Sequence, residues 1–326
     1  MLNYILFVIG FVILIKGADW LVEGASSIAK KFKVSDLIIG LTIVSLGTSM
    51  PELLVNVIAS LKGSSEIGIG NVLGSNIANI LLVLGVSAAI YPIPVTRNTM
   101  FIEIPFSLTA TLLVGFLANV AIFYPQAQSM GANLIISRGD GYILLFFFLL
   151  FVGYIYIYAK EKKQKTAPEV SAHDDEPILK SLGLVLVGCI GLFLGGKWVV
   201  DGAIAIAELF GLSQSFVGLT IVALGTSLPE LVTSVMAVMK KNTEIAIGNV
   251  VGSNIFNLLW ILGISAIIKP MPFDTINNAD ILTIIGSSTL LLVAVAVGKR
   301  AVISRWEGWV FVLAYLGYIV YLVGRG

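Results

Sequence analysis

Long apolar runs separated by short polar groups fill almost the whole chain, and taking about 20 residues per membrane crossing they predict ten helical spans. These fall at roughly 3–28, 37–61, 67–91, 101–123, 141–159, 180–208, 215–239, 245–268, 280–298 and 305–323. The run that begins at Ile5 continues through Trp20 with no basic leader and no small-residue cleavage site, so it reads as a retained span and not a signal peptide. Between the fifth and sixth spans, Lys160 to Pro177 is rich in Lys, Asp, Glu and Pro and reads as a solvated linker. The predicted organisation is a five-helix repeat over 1–159, a cytoplasmic linker over 160–179 and a second five-helix repeat over 180–326.

The polar interruptions recur. Residues 39–53 and 217–231 are identical at 12 of 15 positions, each carrying Leu-Gly-Thr-Ser-x-Pro-Glu-Leu, at an offset of 178 residues. At the same offset Glu66–Asn79 matches Glu244–Asn257, and Asp19–Ala25 matches Lys197–Ala203. Near the ends of the halves, Ser137-Arg138-Gly139-Asp140 matches Ser304-Arg305-Trp306-Glu307 at an offset of 167, which puts an 11-residue insertion in the first half around 124–136. Five spans per half is an odd number, so the second copy must enter the membrane upside down, with a pseudo-two-fold axis in the membrane plane. The fold class expected is an all-α membrane protein with ten transmembrane helices in two inverted-topology repeats.

Composition agrees: 57% of residues are hydrophobic and 12% charged, which is not a soluble domain. One cysteine, Cys189, and one histidine, His173 in the linker, exclude a disulfide scaffold and Cys- or His-based metal centres inside the membrane. With the N-terminus outside, 14 of the 20 Lys and Arg fall in inner loops and only Lys62, Arg138, Lys269 and Arg325 in outer ones. That bias places both termini outside a cell membrane. The basic residues form no stripe, so no nucleic-acid partner is expected. The partners are the lipid bilayer and small ions, the chain is expected to work as a monomer, and no cofactor is expected.

Buried oxygen is the chemistry available. Pro51 has no N–H for the Gly47 carbonyl and its ring displaces it, so the helix must kink there and free carbonyls around Ser45–Gly47. Thr48 and Ser49 lie four and three residues from Glu52 and share its face. Ala223, Gly225, Thr226, Ser227, Pro229 and Glu230 repeat the arrangement. In the following spans Ser75 and Asn79, and Ser253 and Asn257, stand four apart, while Gly70, Gly74, Gly248 and Gly252 form small-residue steps for close helix approach. Two carboxylates with hydroxyl, amide and carbonyl oxygens suit hard cations, Ca²⁺ taking 6–8 such ligands. An uncompensated carboxylate at mid-membrane costs on the order of 3 kcal/mol, so Glu52 and Glu230 require a cation or a proton.

The paired Gly-Thr-Ser-x-Pro-Glu and Gly-Asn-x-x-Gly-Ser-Asn-Ile-x-Asn segments resemble the α-repeats of the calcium/cation antiporter superfamily, most closely its prokaryotic sodium/calcium exchanger branch. The resemblance implies a transporter, not an enzyme, exchanging transported Na⁺ for Ca²⁺ at one central cluster by alternating access. It implies a Ca²⁺ site made by the carboxylates of Glu52 and Glu230 with the backbone oxygens of Thr48 and Thr226. The flanking Na⁺ sites it implies use Ser49, Ser227, Ser75, Ser253 and the carbonyls of Ser45 and Ala223, with Asn79 and Asn257 at the centre. It also gives the first and sixth spans the role of a sliding gate. Asn257 stands where some members, including potassium-dependent exchangers, carry Asp, which argues against K⁺ dependence. Ser45 opposite Ala223 adds one hydroxyl on one side.

Other polar residues have plainer readings. Asn76 and Asn254 are expected as interhelical hydrogen-bonding residues, Asn71 and Asn249 as caps or turns, and Asp19, Glu23, Lys197 and Asp201 as interfacial anchors. Remaining Ser and Thr in the spans are expected to bond the carbonyl one turn back. Three alternatives differ in function. A Ca²⁺/H⁺ antiporter of the same fold needs no cage for its driving ion; a passive channel would be built around a pore axis; an intramembrane enzyme lacks a catalytic pair. The chain has no phosphate-binding Gly-x-x-x-x-Gly-Lys-Ser/Thr motif, so ATP is not the expected energy source.

Overall fold

The computed structural model describes residues 2–62, 65–123, 134–165, 177–209, 223–297 and 301–325. The described chain is mostly helical: α1 Leu2–Phe32, α2 Asp36–Thr48, α3 Met50–Lys62, α4 Ile67–Ile90, α5 Thr99–Ala118, α6 Arg138–Lys165, α7 Ile178–Leu209, α8 Ala223–Thr226, α9 Leu228–Met239, α10 Thr243–Ile268, α11 Asn277–Val297 and α12 Arg305–Arg325. Among the described residues eight helices are long and apolar enough to cross a bilayer, and α2 with α3, bent by 47°, passes the same test as one broken span. The span expected at 215–239 begins outside the described residues, and α8 and α9 are its described part. Of the expected linker, α6 runs on through Lys165 and α7 begins at Ile178, with 166–176 outside the description. The expected insertion likewise falls mainly on residues 124–133, outside it.

Local chemistry sets the helix ends. After α1 and after α9 the chain closes with the same turn: Val34 N–H reaches Ala29 O (3.0 Å) and Asn242 N–H reaches Ala237 O (2.8 Å). Lys33 (φ 56°) and Lys241 (φ 60°) take the left-handed position this closure requires. The repeated Ser-Arg-x-acid motifs start α6 and α12 as capping boxes, Ser137 Oγ and N–H both donating to Asp140 at 2.7 Å, and Ser304 N–H and Oγ to Glu307 at 2.6 and 2.7 Å. The fourth span is interrupted at Asn119, which exchanges amide hydrogen bonds of 2.7 and 2.9 Å with Asn278 at the start of α11, and a short helical turn, Val120–Phe123, carries it on to the expected 123.

Packing pairs the halves reciprocally. α1 and α7 cross antiparallel with glycines facing: a Cβ on Gly10 would lie 3.0 Å from Gly195 O, and one on Gly188 would lie 2.8 Å from Gly17 O. Gly188 and Gly195 are Gly10 and Gly17 displaced by 178. Two short antiparallel bridges behave the same way, Ile93–Pro94 (β1) with Val302–Ile303 (β4), and Ile135–Ile136 (β2) with Met271–Pro272 (β3). Ile93 opposes Ile303 and Met271 opposes Ile136, the same pair under the two sequence offsets. Small residues and backbone bridges therefore bring α4, α10 and the broken helices α2–α3 and α8–α9 together in the interior, while aromatics such as Phe146, Tyr156, Trp306 and Trp309 stay exposed on the periphery.

Candidate ion-binding site

Both Pro-Glu segments break their helix at the serine two residues before proline. Ser49 has φ −84°, ψ 6° and Ser227 φ −88°, ψ 3°, the bridge conformation between helical turns. Ser49 N–H still reaches Ser45 O (3.0 Å) and Leu53 N–H reaches Ser49 O (3.1 Å), so the interruption is confined to the turn whose donor proline removes. The Ser45 carbonyl thus keeps a helical donor and also accepts from Thr48 Oγ1 at 3.3 Å, and Gly47 is the carbonyl left without its i+4 N–H. Beside these breaks lie π turns at Gly40–Val44, Asn79–Val83 and Phe256–Ile261, wider turns that recur at functional positions in helices.

Glu52 and Glu230 are fully buried and near enough to repel each other electrostatically. Glu230 Oε1 accepts from Ser49 Oγ of the other half (3.1 Å) and Ser253 Oγ (3.5 Å). The hydroxyls of Thr48 and Ser253 stand 3.4 Å apart, and those of the equivalent pair Thr226 and Ser75 3.5 Å apart. Thus Glu52, Glu230, Thr48, Thr226, Ser49, Ser75 and Ser253 are joined in one interior cluster. Among the expected site residues six buried oxygens have no hydrogen-bond donor: three in the cluster, both of Glu52 and Oε2 of Glu230, and three beside it in the sequence, Oδ1 of Asn79, Oδ1 of Asn257 and Oγ of Ser227. Buried polar atoms are normally paired. A set this rich in acceptors, two of its residues acidic, fits a cation of the oxygen-liganded kind.

The remaining expected residues divide. Asn79 Nδ2 donates to Asn254 Oδ1 (3.1 Å), which leaves its own buried oxygen without a donor and gives Asn254 the interhelical role expected of it; Asn254 Nδ2 also reaches Asn76 O at 3.5 Å. Ser45 turns its hydroxyl back onto Thr42 O (3.1 Å) and packs against Gly252. The side chain of Ala223 lies outside the described ones, although its backbone begins α8. Gly248 and Gly252 let α10 lie against Leu37–Ser45, whereas the repeat equivalents that would meet Gly70 and Gly74, residues 215–223, fall outside the described side chains.

Asn249 corrects one expectation. It is no cap: α10 begins at Thr243, capped by Asn242, whose side chain accepts from Ile245 N–H at 3.2 Å. Asn249 lies wholly buried inside that helix, accepting from Thr48 Oγ1 (2.9 Å) and donating to Ser234 Oγ (3.0 Å) and Glu230 O (3.4 Å). Asn71 is likewise inside α4, its amide nitrogen buried and without an acceptor. The available sequence signal was the four-residue ladder Asn249, Ser253, Asn257 in an otherwise apolar helix. Asp19, expected at an interface, pairs with Lys240 at 2.5 Å and more loosely with Lys16 at 3.9 Å, all partly exposed. Thr42, Thr109, Thr111, Ser265, Thr283, Ser287 and Thr289 bond the carbonyl one turn back, as expected of Ser and Thr in spans.

Comparison with known proteins agrees with this geometry. The family model described as "Sodium/calcium exchanger protein" matches residues 2–157 and 180–324. The sodium/calcium exchanger MaX1 of Methanosarcina acetivorans is 33% identical over 98% of both chains, and the inner membrane protein YrbG of Escherichia coli is 35% identical over 82% of this chain and 81% of its own. The solved sodium-calcium exchanger NCX_Mj, soaked with 2.5 mM Na⁺ and 1 mM Sr²⁺, matches with a TM-score of 0.79 at 34% identity over 98% of both chains. A multi-pass membrane protein with a buried, donor-poor oxygen cluster and matches of this extent is an antiporter by descent: the chain belongs to the sodium/calcium exchanger family.

Proposed function

We propose that this protein exchanges Na⁺ for Ca²⁺ by alternating access at one mid-membrane site shared by two inverted five-helix halves. The observation that carries the reading is Glu52: fully buried, facing Glu230 electrostatically, with both carboxylate oxygens lacking a donor. Two carboxylates balance one divalent or two monovalent ions, so one pocket can serve both cargos in turn, and an empty charged pocket crosses the membrane reluctantly. In this reading Glu52, Glu230 and the carbonyls of Thr48 and Thr226 hold Ca²⁺. Ser49, Ser75, Ser227, Ser253 and the carbonyls of Ser45 and Ala223 complete flanking Na⁺ positions, with Asn79 and Asn257 between them.

The inverted arrangement is supported by the reciprocal glycine contacts of α1 with α7 and by the two strand bridges that exchange under the repeat offsets. The matched stretches 2–157 and 180–324, which leave out the linker region, support the division into halves. The names of MaX1 and NCX_Mj support the ion pair, and the excess of Lys and Arg on one side supports a cell-membrane orientation with both termini outside. The test is radiolabelled Ca²⁺ uptake into sodium-loaded proteoliposomes. Uptake should follow the outward sodium gradient; uptake driven equally well by a proton gradient in sodium-free buffer rejects Na⁺ as the driving ion.

A further inference from the structure

The repeat is symmetric in its ligands but not in how it holds them. In the first half the carbonyl of Glu52 accepts from Asn56 Nδ2 (2.9 Å), one turn along the same helix α3. Position 56 corresponds to Ser234; there the amide that reaches the Glu230 carbonyl comes from the neighbouring helix, Asn249 donating to both Ser234 Oγ and Glu230 O. The same carboxamide accepts the hydroxyl of Thr48, which belongs to the opposite half. Asn249 thus ties together three elements, α9 at Glu230, α10, and α2 at Thr48. Its counterpart Asn71 has a buried amide nitrogen with no acceptor, and no bond to Thr226 matches the bond from Thr48 to Asn249. The carbonyl of Glu52 is bonded from within its own helix; the carbonyl of Glu230 is bonded from the neighbouring helix, by an asparagine that also reaches Thr48 of the opposite half.

We infer that Asn249 is a positioning residue for ion binding, fixing Glu230 and Thr48 relative to each other, and that its repeat partner Asn71 has no such role. The inference rests on the proposed use of Glu230 and Thr48 as ligands. Asn249 reaches both residues through atoms that the ion does not need: the backbone oxygen of Glu230 and the hydroxyl of Thr48. A neutral positioning group held by three bonds to protein atoms acts on where the ligands stand and not on the charge of the site. Its loss takes the amide away from buried Ser234 Oγ and Glu230 O and leaves Thr48 with its bonds to Ser45 O and Ser253 but without the link through Asn249 to the Glu230 turn, so the two ligand turns can drift apart.

The experiment compares Asn249→Ala, Asn71→Ala, Thr48→Val and Glu230→Gln in proteoliposomes, reading half-saturating Ca²⁺ and maximal rate separately, with monodisperse elution as the folding control. Asn249→Ala is expected to raise half-saturating Ca²⁺ about tenfold or more with the maximal rate within twofold of wild type, while Asn71→Ala changes neither. Thr48→Val keeps the backbone carbonyl and removes only the hydroxyl, so it should give a shift of the same kind. Combined with Asn249→Ala it should add little, since the two changes break one linkage. If Asn249→Ala does not fold, Thr48→Val against Asn71→Ala carries the comparison. Equal effects of the two asparagine variants, a loss of maximal rate without a change in Ca²⁺ dependence, or additive Asn249 and Thr48 effects would overturn the positioning role. Glu230→Gln separates the two failures: if it abolishes exchange while Asn249→Ala is inert, only the positioning role falls; if it exchanges like wild type, the site itself falls.

Discussion

Replacing Glu52 with glutamine removes one of two negative charges from a pocket with no other acid: among the described residues no group of three or more His, Cys, Asp and Glu gathers anywhere. Ca²⁺ in the altered pocket faces Glu230 alone and leaves one positive charge uncompensated away from water. Removing one partner from a buried set of charges costs about 3–5 kcal/mol, which at about 1.4 kcal/mol per tenfold raises half-saturating Ca²⁺ by roughly two to three and a half powers of ten. The unliganded protein should respond in the opposite direction. Glu52 has no donor for either oxygen, and a neutral amide is easier to bury than an ionised carboxylate. The ion-free variant should therefore melt at or above the temperature of the ion-free wild type. Radiolabelled Ca²⁺ uptake over a wide concentration range, with thermal unfolding in chelator, measures both. A variant that exchanges within twofold of wild type at limiting Ca²⁺, or one that loses uptake only because its ion-free form is destabilised, refutes the reasoning.

The packing carries further expectations. Gly188→Ala would put a Cβ 2.7 Å from Leu21 N and 2.8 Å from Gly17 O, backbone atoms that cannot step aside, so it should destabilise the α1–α7 contact by about 1–3 kcal/mol in thermal unfolding. Gly183→Ala on the same helix meets nothing within 4 Å and should be neutral or stabilising. Arg325→Ala leaves Asp280, held by bonds of 3.0 and 3.3 Å to the guanidinium and 3.0 Å to Tyr318, buried with only the phenol. A melting-temperature loss equivalent to about 1–3 kcal/mol is expected, smaller when Asp280→Asn is combined with it. The Lys240–Asp19 pair is short but partly exposed, so Lys240→Ala should cost less than about 1 kcal/mol and the difference should shrink in high salt.

What was legible in the sequence was whatever depends on local covalent chemistry and on repetition. Hydropathy located the long helices to within a few residues, because hydrocarbon admits only segments whose backbone is satisfied internally. Proline at 51 and 229 fixed the helix breaks, and the Ser-x-x-acid motifs marked the starts of α6 and α12. The duplication picked out the two glutamates and the seryl and threonyl oxygens that the fold joins. Asn249 escaped this reading because a position beside glycine, judged along one helix, resembles a cap; only the neighbouring helices reveal the partners it reaches.

The sequence by itself determined the inventory: two acids, their hydroxyl and amide company, and the helices that carry them, since residue type, spacing and length obey local rules. The tertiary structure decided the inequality between the halves. Glu230 receives Ser49 and Ser253 and is tied through Asn249 to Thr48, while neither oxygen of Glu52 has a donor within 3.5 Å and Ser75 is its neighbouring hydroxyl. Nearly identical motifs cannot announce that difference, because hydrogen bonds across the molecule depend on which distant helix lies alongside, and that is set by the packing of the whole chain.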